Sequence, residues 1–389
     1  MGKSNGRKFF NVANQGMNTK YRICTKTVMD TSDPDIEFDE NGVCLYVKTY
    51  DSVSAQFLVS EDKREEELHK IIEKIKIEGK GKPYDCIIGL SGGVDSTYVA
   101  LVVSQLGLRP LAVHLDNGWN SELAVNNIEN IVKKLNLDLI TYVIDWEEFK
   151  DLQLAYLKAS VVDIEALTDN AILVAMNSIA KKFKIKYFLS GTNLATEFIM
   201  PRTWFYDVKY DSLNIKSIHQ KFGKIKKLKT YPIFNFWEYL FYRYKKKEAT
   251  TLSILNYMPY VKNDVIPIIE SELGWRNYGG KHSESKFTQF YQNYILPKKF
   301  NIDKRRAFFS TLILSGQMTR DEALEELRKP IHPANKVEEE IDYVVKKFNI
   351  TRAEFEDIMK QHPRSHFDYP SYQSYHEKLR EFVRKIFKK

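Results

Sequence analysis

The run Leu90-Ser91-Gly92-Gly93-Val94-Asp95-Ser96 holds the residues of this 389-residue chain best suited to chemistry. It follows a short apolar stretch, Cys86-Ile87-Ile88-Gly89-Leu90, and precedes an apolar helical pattern that begins near Thr97. A strand that ends in a Ser-Gly-Gly turn and opens a helix aims unpaired backbone N–H groups and the positive helix end at one point. That point suits a phosphate or pyrophosphate. Gly92 and Gly93 permit close backbone approach, Ser91 and Ser96 add hydroxyl donors, and Asp95 can hold a magnesium ion or cap the helix. A bare Gly-Gly pair would read as an ordinary strand-to-helix turn with Asp95 or Ser96 as N-cap. The full run is more specific, and it is not a Walker loop, because Gly-x-x-x-x-Gly-Lys-Ser/Thr is absent.

The elements that must position this run follow from hydrophobic periodicity. Strands are expected at 86–90, 110–115, 138–144 and 187–190, and helices at 97–106, 121–135, 146–159 and 165–183. This βαβα order predicts an α/β fold, a doubly wound parallel sheet with its site at the carboxyl ends of the strands. Asp116-Asn117-Gly118-Trp119-Asn120 follows the second strand and Gly191-Thr192-Asn193 the fourth. Each loop alone is ordinary turn chemistry. Together with the Ser91 turn they would line one crevice, with adenine and ribose at Asp116 and a second phosphate or base contact at Gly191, Thr192 and Asn193.

A chain of this length with 43% hydrophobic residues can bury a sizeable core plus one or two smaller units. Its formal charge of +8 suits an anionic substrate such as a nucleotide, and equally RNA or a membrane surface. Three cysteines, Cys24, Cys44 and Cys86, make no disulfide framework, and no apolar run is long enough to span a bilayer, so a cytoplasmic setting is expected. The first residues lack an apolar signal core, and 1–20 reads as a mobile polar extension.

After residue 200 the chain turns aromatic and basic. Lys224, Lys226, Lys227 and Lys229, then Arg243 and Lys245 to Lys247, form two charge clusters. A solvated face is the simpler reading, and no nucleic-acid partner is favoured. Tyr231, Phe234, Phe236, Trp237, Tyr239, Phe241 and Tyr242 can stack on bases or pack a helix face. Thr319-Arg320-Asp321-Glu322 reads as a capping box, ahead of helices at 320–328, 337–348 and 352–361, and 372–389 as one more amphipathic helix.

The Ser91 turn resembles the signature of the PP-loop ATP pyrophosphatases, which cleave ATP to AMP and pyrophosphate while adenylating a carbonyl oxygen. Further stretches resemble one branch of these enzymes, the N-acetyl sugar amidotransferases of surface-polysaccharide and O-antigen biosynthesis. They are Met29-Asp30-Thr31-Ser32-Asp33-Pro34, Val113-His114-Leu115-Asp116-Asn117-Gly118-Trp119-Asn120-Ser121, and Thr196 to Trp204 through Glu197, Met200, Pro201 and Arg202. Lys281-His282-Ser283-Glu284-Ser285, Tyr291 to Pro297, Asp303-Lys304-Arg305 and Ser315 to Arg320 continue the likeness, which spans roughly residues 21 to 330.

The resemblance implies ATP with Mg2+ as cofactors, a nucleotide-linked sugar as substrate, and conversion of its acetamido group to an acetamidino group. It implies a separate glutaminase with a cyclase-like barrel as the ammonia-supplying partner. The expected organisation is an N-terminal module at 21–60, the ATP domain at 61–200 and a mainly helical substrate and partner region at 201–389. Expected catalytic residues are Ser91, Asp95, Ser96, Lys281, His282, Lys304 and Arg305, the last four supplying positive charge for pyrophosphate or for the sugar nucleotide's phosphates. Gly92, Gly93, Val94, His114, Asp116, Gly191, Thr192 and Asn193 would meet ATP. Trp119, Asn120, Glu197 and Arg202 would meet the sugar. Each charged residue among these also reads as a surface ion pair.

In one respect the sequence departs from the family, whose members carry two Cys-x-x-Cys pairs suited to structural zinc. Here the pairs read Cys24-Thr25-Lys26-Thr27 and Cys44-Leu45-Tyr46-Val47. Two thiolates leave a tetrahedral ion half satisfied, so no zinc is expected, and the hairpin at Asn41-Gly42 would pack Phe38, Val43 and Leu45 instead. Two other readings stay open, a tRNA-modifying ATP pyrophosphatase and an inactive nucleotide-binding scaffold.

Overall fold

The strands β1 (Cys86–Gly89), β2 (Pro110–Asp116), β3 (Asp138–Val143), β4 (Tyr187–Ser190) and β5 (Thr250–Ser253) form one sheet, in the order β3-β2-β1-β4-β5. Every neighbouring pair is parallel. The computed structural model describes residues 20–58, 60–244, 249–277, 284–332 and 334–377. Residues 1–19 of the extension expected at 1–20, the lysines at 245–247, Lys281, His282 and the chain beyond 377 lie outside them.

Alternation along the strands explains why both faces are covered. Ile87, Leu111, Val113 and Phe188 pack on one face with Ile179 and Ala180 of α6 (Ala166–Phe183). Cys86, Ile88, Ala112 and Leu189 pack on the other against α3 (Val94–Gln105), α4 (Glu122–Leu135) and residues 254–275. Four strands and the helices between them lie where periodicity places them. The fifth strand, β5, falls in the stretch after residue 200 where the alternation was expected to stop. Its Thr-Thr-Leu-Ser sequence has one apolar residue and its first half is exposed, so it carries no hydrophobic signature of its own.

A second core joins the N-terminal module to the C-terminal helices. Cys24, Met29, Cys44 and Val47 share it with Phe149 and Leu152 of α5 (Trp146–Ala159), and with Phe287, Phe290, Phe348 and Phe355. The Asn41-Gly42 hairpin is present as a Phe38–Cys44 bridge, with Phe38 and Val43 against this core. Leu45 is 49% exposed, contrary to expectation, because it opens α1 (Leu45–Phe57) on the outward side. The remaining helices that matter here are α7 (Leu194–Glu197), α8 (Ser212–Phe222), α9 (Phe236–Tyr244), α10 (Lys262–Leu273), α11 (Lys286–Phe290), α12 (Leu296–Phe300), α13 (Lys304–Leu314), α14 (Arg320–Arg328), α15 (Ala334–Phe348) and α16 (Arg352–Lys360), with α2 (Arg64–Gly79) ahead of the sheet. Thr319 and Glu322 form the expected capping box on α14.

Candidate active site

The strand order reverses between β1 and β4, and the two loops that leave these strands meet there. Gly92 has φ +80° and packs so closely on α4 that a Cβ would sit 2.7 Å from the Ala124 carbonyl oxygen. Trp275 Nε1 donates to the Gly92 carbonyl at 2.8 Å and fixes the turn from outside. Gly93 is the N-cap of α3 and no side chain caps the helix, so the first amides of α3 have no side-chain acceptor. Ser91 Oγ lies 3.1 Å from Ser96 Oγ and accepts from Gly93 N at 3.2 Å. From the other side comes Gly191, where a Cβ would meet the Asp95 backbone at 3.0 Å. The structure thus brings Ser91 to Ser96 and Gly191 together, as expected.

Asp95 does not cap α3. Its carboxylate accepts a hydrogen bond from the Tyr260 hydroxyl, a residue 165 positions away, while burial and the Asp95 charge push the Tyr260 pKa up. Glu197 lies within electrostatic reach of Tyr260, which places it on the same side of the crevice.

Several residues expected to touch ligands instead brace the loops. His114 Nδ1 donates to the Leu90 carbonyl at 2.9 Å, and its Nε2 accepts from Asn120 Nδ2 at 3.0 Å. Burial lowers the His114 pKa, so the ring is a neutral strut between the Ser91 and Asn120 loops. Asp116 Oδ1 accepts from Gly118 N and Asn120 Nδ2, at 2.9 and 3.1 Å, and shapes the turn. Trp119 is fully buried, its ring tilted against Phe287 with Nε1 bonded to Gln153 Oε1 at 2.6 Å, and has no surface left for a sugar. Asn193 caps α7 through Thr196 N at 2.9 Å and is buried. Thr192 stays exposed at the end of β4, its hydroxyl 2.7 Å from Ser190 Oγ.

The expected basic cluster divides. Arg305 is spent on Asp303 and on the Glu326 and Lys329 carbonyls at the end of α14, a structural clamp rather than a phosphate ligand. Lys304 is enclosed among Asp163, Glu165, Asp169 and Lys209, and burial lowers its pKa. Those carboxylates compete with any phosphate. Arg202 is exposed at the start of a 3-10 turn, with no ion pair among the described residues.

The turn fits a nucleotide triphosphate: Gly92 without room for a side chain, hydroxyls at both ends and helix amides without side-chain acceptors. Asp95 would supply one carboxylate to a magnesium ion whose other ligands are phosphate oxygens, the usual arrangement for that ion. Zinc does not fit the N-terminal knuckle. Thr27 N and Cys44 N point at Cys24 Sγ, at 3.4 and 3.2 Å, and Thr27 Oγ1 lies 3.7 Å from Cys44 Sγ. The Cys44 thiol and these amides lower the Cys24 pKa, and Cys24 raises that of Cys44. At the positions where two further thiolates would be needed, Thr27 offers a hydroxyl and the buried Val47 an isopropyl group.

Two family models match the chain. Residues 65–228 match NAD synthase, and residues 284–382 match the LPS biosynthesis protein WbpG-like, C-terminal domain. Together the two matches support the surface-polysaccharide branch of the PP-loop ATP pyrophosphatases, with an NAD synthase-like ATP region followed by a WbpG-like region. The chain is an ATP-using enzyme of lipopolysaccharide biosynthesis. An uncharacterized protein of Methanocaldococcus jannaschii, MJ1599, is 24% identical over 78% of this chain and 92% of its own length. The glutamine-hydrolyzing GMP synthase of Pyrobaculum aerophilum is 35% identical over 20% of this chain, and the chain spans only 15% of that protein. Among solved structures, the NH3-dependent NAD synthetase of Campylobacter jejuni aligns over 70% of this chain and 98% of its own, with 15% identity and a TM-score of 0.31.

Tyr260, Trp275 and Ala124 escape sequence reasoning. No local pattern marks them, because they reach the turn from other elements.

Proposed function

We propose that the chain activates the acetamido oxygen of a nucleotide-linked sugar with ATP and replaces that oxygen by ammonia. The carrying observation is the glycine turn at the head of α3, which aims uncapped amides where the loops after β1 and β4 meet. Such donors stabilise charge that develops on a leaving pyrophosphate. The amide oxygen attacks the α-phosphorus, pyrophosphate leaves and an O-adenylyl imidate forms. Ammonia adds to its carbon, AMP departs with the former amide oxygen, and an amidine remains. Ser91 and Ser96 would hold the phosphates through their hydroxyls, and Asp95 would hold magnesium, which neutralises phosphate charge when bound.

Ammonia would come from a separate glutaminase. A thiol-dependent glutaminase needs an accessible, activated cysteine. Cys24, Cys44 and Cys86 are all fully buried, and burial pushes the Cys86 pKa far up.

The test is product analysis with a panel of N-acetylated nucleotide sugars and ammonium. AMP with pyrophosphate and an amidine-bearing sugar is expected, and ADP with orthophosphate would overturn the reading. Glutamine supporting turnover by this chain alone would overturn the partner.

A further inference from the structure

Just ahead of α6, the helix that leads into β4, lies a carboxyl group with one oxygen that no hydrogen bond accounts for. Glu165 occupies the N-cap position of α6, yet its side chain does not cap the helix. Its Oε2 accepts from the Thr288 hydroxyl at 2.9 Å, and its Oε1 is buried without a hydrogen-bond partner. An unpaired buried carboxyl oxygen is costly unless something supplies a donor. Lys304, at the start of α13, lies within electrostatic reach of this carboxyl and makes no ion pair among the described residues. The residue surfaces remain partly open.

A chain of contacts ties this wall to the ATP turn. The Leu90 carbonyl binds His114, His114 binds Asn120, Asn120 bridges to Ser285, and Ser285 Oγ lies 3.0 Å from the Thr288 hydroxyl that holds Glu165.

We infer that Glu165 and Lys304 are the sugar-recognition wall of the acceptor site, and that they take a neutral, polyhydroxylated ring rather than a phosphate. The inference rests on the reading that the crevice receives a sugar acceptor. A carboxylate beside an ammonium is complementary to ring hydroxyls: one accepts the O–H and the other donates to the oxygen. Asp163 and Asp169 share Lys209, so with Glu165 and Lys304 ionised the wall is formally one charge negative and disfavours phosphate. The substrate therefore enters with its phosphates away from this wall.

Burial pushes the Glu165 pKa up to about 7, with Asp169 and Asp163 adding to the rise and Thr288 and Lys304 opposing it. The groups that face this cluster are Asp163, Asp169, Lys209, Thr288, Lys304 and the Tyr291 hydroxyl, which donates to the Val162 carbonyl. A carboxylate accepts from ring hydroxyls more strongly than a protonated carboxyl does, so sugar binding should weaken as pH falls below about 7.

The experiment uses the full chain and UDP-N-acetylglucosamine as probe, read by saturation transfer to its ring protons and by its Kd. ATP-analogue Kd and melting temperature are measured in parallel. For Glu165→Gln and Lys304→Met the probe Kd should rise about tenfold, the loss expected for one charge-assisted hydrogen bond, while the ATP-analogue Kd stays within about twofold of wild type. Glu165→Gln should also abolish the acid weakening of probe binding. No transfer to ring protons in wild type, or an unchanged Kd and pH profile in Glu165→Gln, overturns the inference. The AMP and pyrophosphate assay judges the parent reading separately.

Discussion

The turn at Gly92 and the knuckle at Cys24 are built from the same element, a bend whose backbone amides converge on one point, and they differ in what fills that point. In the knuckle the amides of Thr27 and Cys44 close on the Cys24 sulfur, and Met29, Val47 and Phe149 seal the space. In the turn glycines leave the space empty, and the surrounding elements, Ala124 and Trp275, press from behind. Converging amides alone therefore do not make a binding site. The side chain withheld from their focus does.

The largest expected effect comes from filling the open point. Gly92→Ala would strain a φ of +80° and drive a methyl group against the Ala124 carbonyl. AMP formation should fall at least about 100-fold, as for loss of an oxyanion donor, and near-wild-type turnover would show that the turn is not the phosphate site.

Unfilling the closed point is the converse. In the double variant Thr27→Cys with Val47→Cys, four thiolates would occupy the corners of the knuckle. The 3.7 Å between Thr27 Oγ1 and Cys44 Sγ is close to the roughly 3.8 Å edge of a tetrahedron with 2.3 Å Zn–S bonds. Elemental analysis should find one zinc per chain in the variant and none in wild type. Zinc in wild type would mean that ligands from elsewhere complete the site.

A third set of amides sharpens the comparison, because it is closed by a carboxylate. Lys229, Thr230 and Tyr231 donate their N–H groups to Glu148 of α5, at 2.6, 2.9 and 2.8 Å. Burial raises the Glu148 pKa, but these amides and the Thr230 hydroxyl outweigh it and the net shift is down. Glu148→Gln should cost roughly 3 kcal/mol in denaturant unfolding at pH 7, within the range for charge-assisted hydrogen bonds. Because the folded pKa is depressed, this stability is present above the unfolded carboxylate value and is lost as pH falls through the folded one. The gap between wild type and variant should begin to narrow as pH falls below about 4, the unfolded carboxylate value, and should close only below the folded one. The smallest effect is expected at Trp237, 74% exposed on α9, where Ala should change stability by no more than about 0.5 kcal/mol.

What could be read from the sequence follows the same division. The glycine turn and the parallel strands β1 to β4 were legible because each is coded within a dozen residues, whereas the absence of a cap on α3 was left open by Asp95 and Ser96. β5 was not legible, since an edge strand of Thr250 to Ser253 needs no apolar alternation. The roles of Trp119, His114, Asn193 and Arg305 were misjudged because a motif locates a residue near a site without saying which way it faces. Glu165 was invisible, as an isolated carboxylate becomes informative only when its unpaired oxygen is seen.

Lys347 on α15 donates to the Gly118 carbonyl and lies 4.6 Å above the Trp119 ring, so the last third of the chain grips the loop that leaves β2. The region matched by the WbpG-like model is in this way a keystone of the ATP-using region. Heating the protein should then give one endotherm, not two, and the two halves should fail as separately expressed pieces. Neither half can be released without baring aromatic rings that the other now covers.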